Sequence, residues 1–195
     1  MGLEALTDSD IERLHADPPL VWLIVSPDDP EPYEESRAEQ KRGLLGKLFG
    51  KKFDERPIAS LFSCDLDKAW DGVNYLLTGA SLQDHAQALK AGVTLFPLDF
   101  LIRDSRFVGN IDVGYGPART FSSAEMRAVH ESMAPLTDEV LGSRYNAADM
   151  MAQAVYPEIW DDDDAREYVL DAARSVREFV ADCAAKGCGC LIYLC

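Results

Sequence analysis

A chain of 195 residues, nearly half of them apolar, has enough material for one compact domain of ordinary size and is too apolar for global disorder. Its formal net charge of −15 argues against nucleic acid, whose phosphates demand a basic surface, and favours a basic protein partner. No apolar run of about 18 residues occurs, so no membrane span is predicted; the N-terminus lacks the basic start and apolar stretch of a secretory signal, so a cytoplasmic location is expected.

The spacing of Thr7, Asp8, Asp10, Ile11 and Leu14 predicts a capped short helix ending near Asp17. Leu20 to Val25 is an uninterrupted apolar run; its composition suits a buried strand, and a run this short also fits a helical turn. Proline density makes Ser26 to Pro32 a loop. Lys41 to Lys52 then carries five basic residues and no acid, so the rest of the chain sums to about −20. The organisation this predicts is a single domain over 1–195 with a mobile basic connector at about 33–60. One short basic stretch without a second signal attaches only marginally to membranes, so no stable membrane anchoring is expected.

The most complete helix signal lies at Asp65 to Gly79. Asp65 suits the N-cap, Asp67 the first turn, and Gly79 a left-handed stop. Leu66, Ala69, Trp70, Val73, Leu76 and Leu77 recur on one face, and Asp67, Asp71, Asn74 and Thr78 form a polar stripe beside it. A second helix is predicted from Ser81 to Ala91, with Asp84 completing the cap and Gly92 the stop. Pro97 suits a helix start for the apolar segment to Ile102. Arg103 to Val113 reads as surface chain with a short strand at Phe107 and Val108, and Ala118 to Phe121 alternates like a strand.

Ser122 to Glu125 has the spacing of a capping box opening a helix through about Ala134. Pro135 to Asp138 starts the next helix, and Asn146 caps a third to about Val155. Tyr156 to Trp160 is an aromatic loop. Asp161 to Asp164 opens the longest helix, where capping and the helix dipole account for four acids; their spacing lacks the glycine and terminal glutamate of a calcium loop. Gly187 closes that helix, and Gly189 to Leu194, apolar on both faces, should be a buried central strand packed beneath it.

No catalytic constellation emerges. His15, His85 and His130 have no metal spacing and read as surface histidines. The cysteines, at 64, 183, 188, 190 and 195, are odd in number and lack paired zinc knuckles, so they read as small buried apolar residues. A lone Gly-x-Gly at Gly114 and Gly116, followed by Pro117, is no dinucleotide fingerprint. No cofactor, metal site or catalytic residue is assigned.

Three motifs, CDLDKAWDGVNYLLTG at Cys64–Gly79, DVGYGPAR at Asp112–Arg119 and YPEIW at Tyr156–Trp160, stand in an order that resembles the YfbM-like family, small bacterial proteins catalogued as a domain of unknown function. The resemblance spans nearly the whole chain. It implies an α+β fold, mostly helical in a single domain, with a small sheet that includes the C-terminal strand. It implies no activity. It also favours a helix at Leu20 to Val25, which we adopt. Two departures stand out: family members often carry histidine where this chain has Asn74, and they commonly open with a strand, for which Met1 to Leu6 is short.

On these grounds the chain is expected to be a non-enzymatic, acidic binding protein engaging a basic protein partner; an immunity-like role against a basic toxin would be one form of this. The alternative is a small-ligand receptor or enzyme with an anion-binding pocket between the three motifs. The candidate ligand or partner site is the same for both: Asp67, Trp70, Asp71, Asn74, Tyr115, Arg119, Tyr156 and Trp160. These residues also fit as core and turn positions. Arg119 is expected to pair internally with Asp67 or Asp71, the rival being an external anion beside Trp70 and Tyr115.

Overall fold

A computed structural model describes residues 1–42, 58–93 and 96–195. Most of the basic stretch, and with it most of the expected mobile connector, lies outside the described residues. The architecture is α+β: helices in the majority and one antiparallel sheet in the order β2-β1-β5-β4-β3, formed by β1 Gly2–Leu6, β2 Ser63–Asp65, β3 Arg106–Asp112, β4 Pro117–Phe121 and β5 Gly189–Tyr193.

The helices are α1 Asp8–Ala16, α2 Trp22–Val25 after a 3-10 turn at Pro18–Val21, α3 Glu31–Arg42, α4 Trp70–Thr78, α5 Leu82–Lys90, α6 Ser123–Met133, α7 Asp138–Arg144, α8 Ala147–Ala152 and α9 Ala165–Lys186. Strand β5 sits centrally, with Leu191 and Ile192 fully buried on opposite faces. Gly187 is left-handed, and α9 reverses directly into β5.

The two faces of the sheet support two cores. Leu3, Ala5, Phe121, Cys190 and Ile192 pack against α4, α6 and α9. Leu6, Val108, Ala118 and Leu191 pack against α1 and the apolar run after it. That run is helical, as the resemblance favoured, and its proline-led 3-10 turn brings Leu20 and Val21 onto the smaller core.

Local cap signals translate directly. Thr7, Ser122, Thr137 and Asn146 each accept from a backbone N–H in the first turn of the helix they open. Ser122 and Glu125 close a reciprocal box. Ser122→Ala should therefore cost about 1 kcal/mol, read as a fall of roughly 2–4 °C in melting temperature; an unchanged melting curve would contradict this.

Several expectations are corrected. Met1 to Leu6 is long enough: Gly2–Leu6 forms a strand between β2 and β5, paired residue by residue with Leu6↔Gly189 through Gly2↔Tyr193. Asp65 does not cap α4; it ends β2, its Oδ1 accepts the Asp67 N–H at 2.9 Å, and Asp67 is left-handed at φ 45°, so the chain turns before the helix begins at Trp70. Leu98 to Ile102 forms turns rather than a helix. Strand β3 is longer than expected. No side chain of the Asp161–Asp164 run caps α9. Helix α3, which no motif announced, is held to the body by a bidentate Arg37–Asp17 pair. His85 is buried, and His15 is half-buried with Nε2 at 2.8 Å from the Thr120 hydroxyl.

Candidate functional site

Where β1 begins and β5 ends, the sheet opens into a cleft of about 680 Å³. Each of the three sequence motifs sends a residue there. The first supplies Asp65, Asp67, Lys68 and Trp70, the second Tyr115, the third Tyr156. Strand β1 adds Glu4, and β5 adds Tyr193.

The turn before α4 places the acids. Asp65 ends the edge strand with its carboxylate exposed. The left-handed Asp67 is held through its carbonyl, which accepts from the amino nitrogen of Met1 at 3.0 Å. Its carboxylate lies 3.4 Å from the Tyr168 hydroxyl. Trp70 is half-buried, and its ring stacks on Tyr156 with centroids 6.0 Å apart and planes at 29°.

Tyr115 is presented by a tight turn. The Asp112 Oδ1 accepts from the N–H groups of Gly114 and Gly116, each at 2.9 Å, and these bonds hold the Asp112 carboxyl below its usual range. The Tyr115 N–H donates to the Leu194 carbonyl at 2.9 Å. That fixes the backbone over the end of β5 and leaves the ring 79% exposed. Tyr193 lies across Gly2, where a Cβ would stand 2.4 Å from the ring, so any larger side chain there would push the ring aside.

Four of the eight expected residues, Asp67, Trp70, Tyr115 and Tyr156, therefore converge. The other four do not line the cleft. Trp160 is core: it is 1% exposed, and its Nε1–H donates to the Val155 carbonyl at 2.6 Å. Asp71 and Asn74 are buried behind the cleft on α4. Asp71 Oδ2 accepts the Tyr156 N–H at 3.0 Å, tying the aromatic loop to α4 from inside. The other Asp71 oxygen and both side-chain polar atoms of Asn74 have no hydrogen-bond partner among the described residues. Burial pushes the Asp71 carboxyl up to about 6, against the opposing effect of the Tyr156 N–H.

Arg119 corrects both expectations held for it. It pairs across β4 and β5 with Ile192, which turns its side chain towards the larger core. There the guanidinium donates to the Leu101 carbonyl; burial lowers its pKa, while Asp104 acts in the opposite direction. It meets neither Asp67 nor Asp71, and it does not line the cleft.

The sequence reading missed Glu4, Asp65, Lys68 and Tyr193. Glu4 was missed with the strand that carries it, and Asp65 was assigned to a helix cap. Cys64, on β2 opposite Leu3, also lines the cleft, and its thiol is pushed up to about 11, chiefly by burial and then by Asp65, Glu178 and Glu4. Such a thiol stays protonated at neutral pH and is a poor nucleophile. Among the described residues, no group of three or more His, Cys, Asp or Glu side chains is placed to hold a metal ion. No helix among them is long and apolar enough to cross a membrane.

Aromatic faces beside carboxylates attract an ammonium or guanidinium group, through the ring quadrupoles and through charge. A lining of this chemistry suits a cation.

A family model described as a domain of unknown function, DUF1877, matches residues 1–193. Among solved structures, the chain is similar to YfbM from Escherichia coli, a protein of unknown function. The match has 15% identity and a TM-score of 0.54, covering 97% of this chain and 96% of that one, and it speaks to the fold alone. No curated protein matches the chain.

Proposed function

Because the chain belongs to the DUF1877 family, described only as a domain of unknown function, its activity has to be read from its own cleft, and we propose a non-enzymatic binding protein that takes a lysine- or arginine-rich segment of a protein partner there. The observation that carries this reading is the convergence of Trp70, Tyr156 and Tyr115 with Glu4, Asp65 and Asp67, against two opposing cations, Lys68 and the Met1 ammonium 3.9 Å from Asp65. The net charge of −15 would steer a basic partner towards the protein at long range, and the stacked rings would hold its side chains at close range. The anion-pocket alternative loses its anchor, since Arg119 is turned into the core.

The test is calorimetric titration with octalysine, and with octaglutamate as the control. Octalysine should bind with an affinity that falls as salt rises, and octaglutamate should not bind. Asp67→Asn removes one charge while suiting the left-handed backbone that asparagine tolerates. Combined with Tyr115→Ser, it should weaken octalysine roughly tenfold, about 1.4 kcal/mol, with the melting temperature kept. Absence of octalysine binding at low salt, or equal binding by the double variant, would refute the proposal.

A further inference from the structure

Strand β2 is the outer strand of the sheet on the cleft side, and no other strand among the described residues pairs with its outer edge. In an antiparallel ladder, alternate residues bond to the neighbouring strand. Two backbone hydrogen bonds identify which ones: the Ala5 N–H donates to the Phe62 carbonyl at 2.9 Å and the Leu66 N–H to the Met1 carbonyl at 3.0 Å, with Cys64 opposite Leu3 midway between them. Phe62, Cys64 and Leu66 therefore face β1. By the same alternation, the N–H and C=O groups of Ser63 and Asp65 point outward. Both residues are exposed, and no strand among the described residues pairs with them on that side.

Each side of this edge opens on an acid-lined recess. On one face, Ser63 pairs with Glu4 and Asp65 with Gly2, and these residues line the aromatic cleft. On the other face, a groove of about 580 Å³ runs between β2 and α9, lined by Phe62, Ser175, Glu178, Phe179 and Asp182. An extended peptide projects alternate side chains to opposite faces of a sheet. A basic segment laid along β2 would thus place successive cations in the two recesses in turn.

Resting on the cation-receptor reading above, we propose that the basic partner docks by strand addition: an extended lysine- or arginine-rich segment pairs with the outer edge of β2 through the backbone groups of Ser63 and Asp65. Main-chain bonds then supply the grip, and the carboxylates flanking the strand select basic side chains. Charge chooses this occupant over a second copy of the chain, because two such edges would bring Asp65, Glu178 and Glu4 against their own kind.

Amide hydrogen exchange by NMR, with octalysine as the probe, tests the inference. In the free protein, the Ser63 and Asp65 amides should exchange much faster than that of Cys64. At saturating octalysine, both should slow by about tenfold or more. Octalysine carrying N-methyl groups on alternate backbone nitrogens keeps the charge, and it should bind at least about tenfold more weakly. Unchanged exchange at Ser63 and Asp65 with octalysine bound, equal affinity for the methylated peptide, or an edge already protected in the free protein would each overturn strand addition and leave the cation reading standing. Absence of any octalysine binding would overturn both.

Discussion

Trp160→Ala is expected to cost about 3–5 kcal/mol, the penalty for emptying a large aromatic site in a packed core. For a chain of this size, that corresponds to a fall of roughly 6–20 °C in melting temperature. The indole is almost fully enclosed and lies against Gly72, where a Cβ would meet it at 2.3 Å. Its Nε1–H satisfies the Val155 carbonyl, and its own carbonyl accepts the Tyr145 hydroxyl. Removing it opens a cavity and takes one of two hydrogen bonds from the Val155 carbonyl, which keeps the Glu158 N–H at 3.0 Å, so the cavity is the main cost. The loop from Tyr156 to Trp160 also loses its inner anchor, so the stacking of Tyr156 on Trp70 should loosen. Thermal and denaturant melts read the first effect. A variant melting within about 2 °C of the parent would show that the indole is not core.

Asp71→Asn is expected to stabilise the protein at neutral pH by about 2–3 kcal/mol and to do almost nothing near pH 4. The carboxyl is raised from 3.8 to about 6 because burial disfavours its charged form, and every tenfold gain in proton affinity on folding is worth about 1.4 kcal/mol. The folded state therefore holds this proton more tightly than the unfolded state does. Between pH 3.8 and about 6, stability falls as pH rises, and above about 6 the full penalty of the buried charge is present. An amide carries no charge, and its oxygen still accepts the Tyr156 N–H, so the substitution removes the penalty and the pH dependence together. The measurement is chemical denaturation of both proteins from pH 4 to pH 8. A stability difference that stays constant across this range would refute the assignment.

What the sequence disclosed and what it hid divide along the range of the interactions involved. Caps at Thr7, Ser81, Ser122 and Asn146, and left-handed stops at Gly79 and Gly187, are set within a few residues, and they read correctly. Strand β5 was legible because burial on both faces leaves an unbroken apolar run. Strand β1 was not, because its stability comes from pairing with residues some 190 positions away. Asp65 illustrates a local signal with two readings: an acid before an apolar periodic run fits a helix cap, and here the same side chain closes a turn at Asp67 instead.

The candidate site was half legible for the same reason. Sequence motifs bring Trp70, Tyr115 and Tyr156 into suspicion, but the destination of a side chain depends on strand register. Register across β4 and β5 turns Arg119 into the core, while the turn held by Asp112 keeps Tyr115 outside. Asp71 and Asn74 share the polar stripe of Asp67 in the sequence; because the helix begins only at Trp70, they fall behind the cleft rather than along its wall.

The binding of basic segments at the aromatic cleft is tested most directly by the indole N–H resonances of the three tryptophans during titration with octalysine. Trp70 lines the cleft, Trp160 is sealed in the core, and Trp22 packs against the smaller core and donates to the Ser36 hydroxyl at 2.9 Å, outside the cleft lining. The expected result is a saturable shift of the Trp70 signal alone, reversed by added salt. A Trp70 signal that stays in place while octalysine binds, or one that moves no more than that of Trp22, would contradict the assignment.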